Sequence, residues 1–215
     1  MPIDLDALLD PRHSAVVTSE VQNSVVGERS ALPELAAAAA AIIPNVARLC
    51  AGARAVGAPV VHGVAARRAD GRGSNANARL FLGVRRSPVA MEPGTPDVAV
   101  VPELGPDPTD IVLCRLHGLD PMAGTDLDPI LRNLGVTTLV VTGVSVNVAV
   151  TNLVMDAVNR GYQVVLPRDA VAGLPAAYAD AVIDHTLSLL ATVTTTAAVL
   201  AVWGGGDASR GSAAP

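Results

Sequence analysis

The sequence predicts an α/β fold: a three-layer αβα sandwich around a mainly parallel, doubly wound sheet. Three observations predict it. Short β-branched and aliphatic runs recur at intervals that leave room for one helix between each pair. Those runs are continuously rather than alternately apolar, as strands covered on both faces are. The apolar half of the chain, 50% of 215 residues, contains one Phe, one Trp and two Tyr. Helices and sheet must therefore meet through Ala, Val, Leu and Ile, small side chains that let the layers lie close.

The elements follow in order. The first strand is 14–19 (SAVVTS), and a helical stretch over 35–56, broken near Pro44, leads to a second at 58–64 (APVVHGV). Residues 110–114 (DIVLC), 137–142 (TTLVVT) and 163–166 (QVVL) are the next strands, with a weaker one at 191–194. Helices are expected over 126–133, 146–159 and 176–190. Gly57, Gly135 and Gly161 stand where helices should end, as glycines that accept a left-handed conformation do. Alternation at this spacing implies right-handed crossovers in one domain over residues 1–203. Segment 65–105, rich in Arg, Gly and Pro with a short helix over 75–83, interrupts the rhythm and is expected to be a lid or a subunit contact. Residues 204–215 (GGGDASRGSAAP) are expected to be a disordered tail.

Composition removes several classes of function. The net charge is −5 and no basic stripe exists, so nucleic acid is not an expected partner. All 15 basic residues are Arg, which excludes Schiff-base chemistry and a lysine proton shuttle. Two cysteines cannot form a disulfide framework and suit a reducing, cytoplasmic setting. The first residues, MPIDLDALLD, lack the basic and apolar regions of a signal peptide. Stretches 135–155 and 186–206 are long and uncharged, but their Thr, Asn and Gly content reads as a strand joined to a helix, not a membrane span. No dinucleotide-binding glycine pattern follows a strand, and neither a phosphate loop nor a nucleophile elbow is present.

Ligands of open α/β sheets bind beyond the carboxyl ends of the strands, and that rule selects the candidates. Glu20 follows the first strand, a position suited to a general acid or base or, more blandly, to a solvated loop. His62 is expected to end the second strand, without the further ligands that a metal site needs. Arg115 ends the 110–114 run and can hold a substrate carboxylate or pair with Glu20. His117 follows it as a proton donor, an acceptor or merely a packed polar residue. The turn Gly143-Val144-Ser145-Val146-Asn147 opens a helix, where backbone N–H groups can hold an oxyanion or a carboxylate. Cys50 and Cys114 both read as core residues.

Three segments then carry a resemblance: AVVTSEVQN, DIVLCRLHGLDPMAGTDLDPILRNLGV and LVVTGVSVNVAVTNLVMDAVNRGYQVVLPRDAVAG. In this order they resemble the isochorismatase-like hydrolases, a superfamily of Rossmann-like topology that includes nicotinamidases, other amidohydrolases and true isochorismatases. The resemblance covers roughly residues 12–203. Its cysteine members use an Asp in D-x-Q, a Lys and a Cys; those positions fall on Glu20, Arg115 and Ala149, with Gln22 matching the motif glutamine. The carboxylate is retained on a longer arm, the cation is retained as a guanidinium that cannot shuttle a proton, and the nucleophile is deleted.

Members resembling true isochorismatase also lack the cysteine, and protonate a vinyl ether with their acidic residue. On that pattern the resemblance implies Glu20 as the acid, Arg115 as a carboxylate anchor, and Ala149 as a backbone N–H with room for substrate. Gln22, His117, Val144, Ser145 and Asn147 fall on its substrate-binding side, and a cis peptide is implied between Val144 and Ser145. The implied protein is a cofactor-independent, metal-free hydrolase of a small molecule and a homo-oligomer, dimer or tetramer. The triple substitution leaves open a catalytically inactive ligand-binding or assembly protein. An amidase rescued by Cys114 is the third reading.

Overall fold

The computed structural model describes residues 4–205. Its sheet has seven strands: β1 (Ser14–Ser19), β2 (Val60–Ala65), β3 (Ile111–Arg115), β4 (Thr138–Val144), β5 (Gln163–Pro167), β6 (Val171–Ala172) and β7 (Thr192–Thr194). All pairings between them are parallel, in the order β3-β2-β1-β4-β5-β7, with β6 on the extension of β4. Order reverses between β1 and β4, the place where an open sheet parts its loops and leaves a crevice. Every residue of β1 and β4 is buried, which explains their lack of charge and leaves Ser14, Thr18, Ser19, Thr138 and Thr142 as buried polar residues.

Among the described residues ten α-helices accompany the sheet: α1 (Leu5–Leu8), α2 (Asn23–Val26), α3 (Pro33–Ala39), α4 (Ile43–Val56), α5 (Arg79–Arg86), α6 (Pro121–Gly124), α7 (Leu127–Asn133), α8 (Thr151–Asn159), α9 (Ala176–His185) and α10 (Thr196–Gly205). Alternate strand residues feed two separate cores. Val16, Val60, Val140 and Val165 pack with α4 residues Val46, Leu49 and Ala53 and with Val199 and Trp203 of α10. Val17, Val61, Leu139 and Val141 face Leu127, Leu131, Leu153, Val154 and Ile183. This is the expected three-layer sandwich. Trp203 closes it by donating its indole N–H to the carbonyl of Leu9 at 3.0 Å. No single helix among the described residues is long and apolar enough to cross a membrane.

Several expectations need correction. The break expected near Pro44 in the 35–56 stretch falls at residues 40–42, between α3 and α4, and Pro44 lies in the first turn of α4. The one expected over 176–190 stops at His185, and a 3-10 turn (Leu187–Leu189) follows. The short helix of segment 65–105 runs four residues later than expected at its start, from Arg79. β3 is an outer strand, so one of its faces is open: Val112 is 54% exposed and Cys114 faces solvent instead of the core. The last helix reaches Gly205, so residues 204 and 205 are helical, and 206–215 lie outside the described residues.

Candidate active site

A cavity of about 520 Å³ opens above the carboxyl ends of β1, β3 and β4. Glu20 enters it from the residue after β1. Its backbone is left-handed, with φ +55°, a conformation few residues without a local constraint adopt. The constraint is the Glu20 N–H, which donates to the carbonyl of Gly63 at 2.8 Å, so the chain turns over the end of β2 and aims the carboxylate at β3. Gly63 itself admits the close approach of Pro121, whose Cγ would lie 2.8 Å from an added Cβ.

Arg115, last residue of β3, meets Glu20 across the end of β2. Its Nη2 donates to Glu20 Oε1 and to the carbonyl of Leu119 at 3.2 Å. The two side chains are only 5% (Arg115) and 16% (Glu20) exposed. Arg115 Nη1 is buried and has no hydrogen-bond partner among the described residues. A guanidinium with one arm pinned by a carboxylate and another arm free is a ready donor for an oxygen of a bound molecule. The loop beneath is held by Asp120, which caps α6 through the N–H groups of Met122 (2.7 Å) and Ala123 and accepts from the Asn152 amide. Burial pushes the Asp120 carboxyl above its ordinary range.

The third contribution comes from the turn after β4. The Val144–Ser145 peptide is cis, and residues Val146–Val150 form a π-helical turn that passes into α8, a departure that recurs at functional sites. The Ser145 carbonyl receives the N–H groups of Val148 and Val150, skipping that of Ala149. Ser145 Oγ is hydrogen-bonded to Asn147 Oδ1. Gly173 leaves room for that amide, since an added Cβ would stand 2.8 Å from Asn147 Oδ1.

The cavity thus brings together Glu20, Arg115, His117, Ser145, Asn147 and Ala149. Gln22 and Val144 are not among its lining residues. Gln22 is fully buried and spends both ends of its amide on protein: Nε2 on Ser24 and the Ala65 carbonyl, Oε1 on the Ala65 N–H at 2.6 Å. It clasps the loop after β1 to the end of β2.

His62 does not end its strand but lies within it, fully buried, and lies apart from the cavity. Its ring bridges Thr18 Oγ1 (2.8 Å) and Asp110 Oδ2 (3.2 Å), and Asp110 is in turn forked by Arg54 at 2.7 and 3.0 Å. No cysteine lines the cavity, so the rescue by Cys114 is withdrawn. No group of three or more His, Cys, Asp or Glu among the described residues is placed to hold a metal ion.

Sequence reasoning named no residue of the rest of the wall, part of which is formed by residues 31–35 around the start of α3. Arg67, Asn75, Leu80, Phe81, Val84, Arg85 and Met91 of segment 65–105 line the cavity. The alternation of Arg with apolar residues in RLFLGVRR was the available signal, but nothing local says which face turns inward. The Asn75 side chain receives the Gly118 N–H at 2.8 Å, tying this segment to the loop that follows Arg115.

A cavity at the carboxyl edge of a parallel sheet, with a carboxylate, a cation and a helix-opening turn converging on it, is placed where α/β folds bind small molecules. The isochorismatase domain matches residues 14–198, and the chain belongs to the isochorismatase family of hydrolases. It is 33% identical over 178 residues to the ureidoacrylate amidohydrolase of Methylobacterium radiotolerans, covering 75% of this chain and 68% of that one. Among solved structures, a cysteine hydrolase from Pseudomonas syringae pv. phaseolicola superposes with a TM-score of 0.82 at 26% identity, over 92% of this chain and 95% of the other. N-carbamoylsarcosine amidase from Thermoplasma acidophilum gives 0.69 at 25% identity, over 86% and 96%.

Proposed function

We propose that the protein hydrolyses a small carboxylate-bearing molecule by proton transfer through Glu20, without a covalent enzyme intermediate. The observation that carries this reading is the Glu20–Arg115 pair on the cavity wall beside Ala149, with neither Cys nor Lys among the lining residues. In this reading Ala149 occupies the place of the family's cysteine. Water, not a side chain, is the nucleophile, and its elements are added across the scissile bond. Glu20 moves the proton, because the guanidinium of Arg115 stays charged throughout and can only attract and orient. Arg115 Nη1 anchors a carboxylate of the substrate. The N–H groups of Ser145 and Ala149 face the oxygen that gains negative charge, and the Ser145–Asn147 hydrogen bond fixes that edge. His117 donates to a further polar group.

The test compares wild type with Glu20→Gln on isochorismate, ureidoacrylate and N-carbamoyl amino acids, following pyruvate or ammonia release. Wild type should turn over at least one of them, and the variant should be slower by about 10²–10⁴-fold while remaining folded by circular dichroism at the assay temperature. Equal rates in the two proteins overturn the assignment. Replacement of all three positions that carry chemistry in the cysteine members supports a second reading, a ligand-binding protein without turnover. Saturable binding with no product from wild type decides for it.

A further inference from the structure

Helix α5 is ordered, yet none of its eight residues is buried. An amphipathic helix ordinarily holds its place by covering its apolar stripe. Here Leu80, Phe81 and Val84, at spacings that share one helical face, line the cavity, and of the three only Val84 also packs against the core. Arg67 Nη1 tethers the helix by donating to the Val84 carbonyl at 3.0 Å. Leu32, Leu35, Met91 and Leu116 line the cavity too, so apart from Glu20 and Arg115 its wall is mainly aliphatic and aromatic, with Glu34, Arg67 and Arg85 as its other charged members. Its volume, about 520 Å³, is within the roughly 300–1,000 Å³ that hold drug-sized ligands.

We infer that the substrate is a carboxylate, or its amide or ester equivalent, carrying an apolar chain that seats against Leu80, Phe81 and Val84. The polar head lies at Glu20 and Arg115, so this inference rests on the proposed function for the head and adds the tail. The apolar chain supplies the surface that α5 lacks.

The experiment is calorimetric titration of the full chain with butyrate, hexanoate and octanoate, none of which can be hydrolysed. Burial of each added methylene should tighten binding about fourfold, or about fifteenfold per step of the series. The Phe81→Ser/Val84→Ser double variant, changed only at half-buried positions, should bind butyrate as wild type does and lose the dependence on chain length. A flat series, no binding of any member, or a dependence that survives in the double variant overturns the inference. So does a wild-type dimer that the double variant dissociates, which would assign the apolar face of α5 to a second copy of this chain. Arg115→Gln separates the two proposals. It should weaken all three acids equally, and unchanged affinity there removes the anchor from the proposed function while the chain-length dependence stands.

Discussion

Replacing Gly143 by alanine should damage the protein far more than the same change at Gly57, although both glycines have positive φ, +102° and +77°. Alanine in a left-handed backbone costs about 1–2 kcal/mol. At Gly57, which ends α4, that is the whole effect, because an added Cβ meets nothing within 4 Å. Gly143 is paired with Ser19 across β1 and β4. A Cβ there falls against the Ser19 carbonyl oxygen and within 2.9 Å of both the Ser19 nitrogen and Val21 Cγ2. Two of these are backbone atoms of a fully buried strand, so relief requires the strands to part. Overpacking of this kind adds about 1–3 kcal/mol or more. The expected loss is about 2–5 kcal/mol of a total that is typically about 5–15 kcal/mol. Urea unfolding followed by fluorescence of Trp203, the single tryptophan, measures it directly. Because Ser19 precedes Glu20, any surviving activity should fall as well. Equal destabilisation of the two variants, or a Gly143→Ala loss under about 1 kcal/mol, refutes the steric argument.

Two further predictions concern titratable groups. Burial lowers the His62 pKa below its ordinary 6.5, a shift that hydrogen bonding to Asp110 opposes without reversing. The unfolded chain therefore takes up a proton near pH 6.5 that the folded chain refuses until lower pH. Stability should be complete above that pH and decline below it by up to about 1.4 kcal/mol per pH unit. His62→Gln should flatten this limb in urea titrations between about pH 7.5 and 5, and an unchanged slope would show that His62 is not its source. Burial of Cys50 pushes its thiol up to about 12, whereas Cys114 is exposed. Iodoacetamide should modify one thiol in the native protein, at Cys114, and two in urea. Rapid native modification of Cys50 would contradict the closed packing of α4.

The strands were the most legible part of the molecule, because a segment buried on both faces is uncharged and rich in aliphatic residues. β1 has the bounds expected of it, and the remaining longer strands differ by a residue or two at their ends. β3 misled for the same reason: DIVLC is as apolar as the buried strands, but its place at the sheet edge follows from pairing order, which no local pattern records. Glu20, Arg115 and the 143–149 turn were singled out because strand ends are where an open sheet binds ligands, and Glu20, Arg115, Ser145, Asn147 and Ala149 do share one cavity. What stayed hidden depended on partners far away in sequence. His62 could not be read as part of a buried network while Asp110 and Arg54 were only two charges elsewhere in the chain. Gln22 fits a motif, yet its hydrogen bonds go to Ser24 and to the backbone of β2. The inward face of α5 depends on a cavity that the chain forms only when folded.

The strand order also sets a sequence of assembly. β1 is among the first strands to be made and lies in the middle of the sheet, with β2 and β3 added to one side by successive crossovers. Its other neighbour, β4, begins at residue 138. Glu20 and Arg115 can therefore meet in a half-sheet whose β1 edge is still open, while the Ser145–Ala149 turn arrives only when β4 docks. Pairing over so long a separation is slow. During synthesis the exposed flank of β1, apolar on both faces, is the surface most in need of protection. The cavity is finished by the same event that covers it.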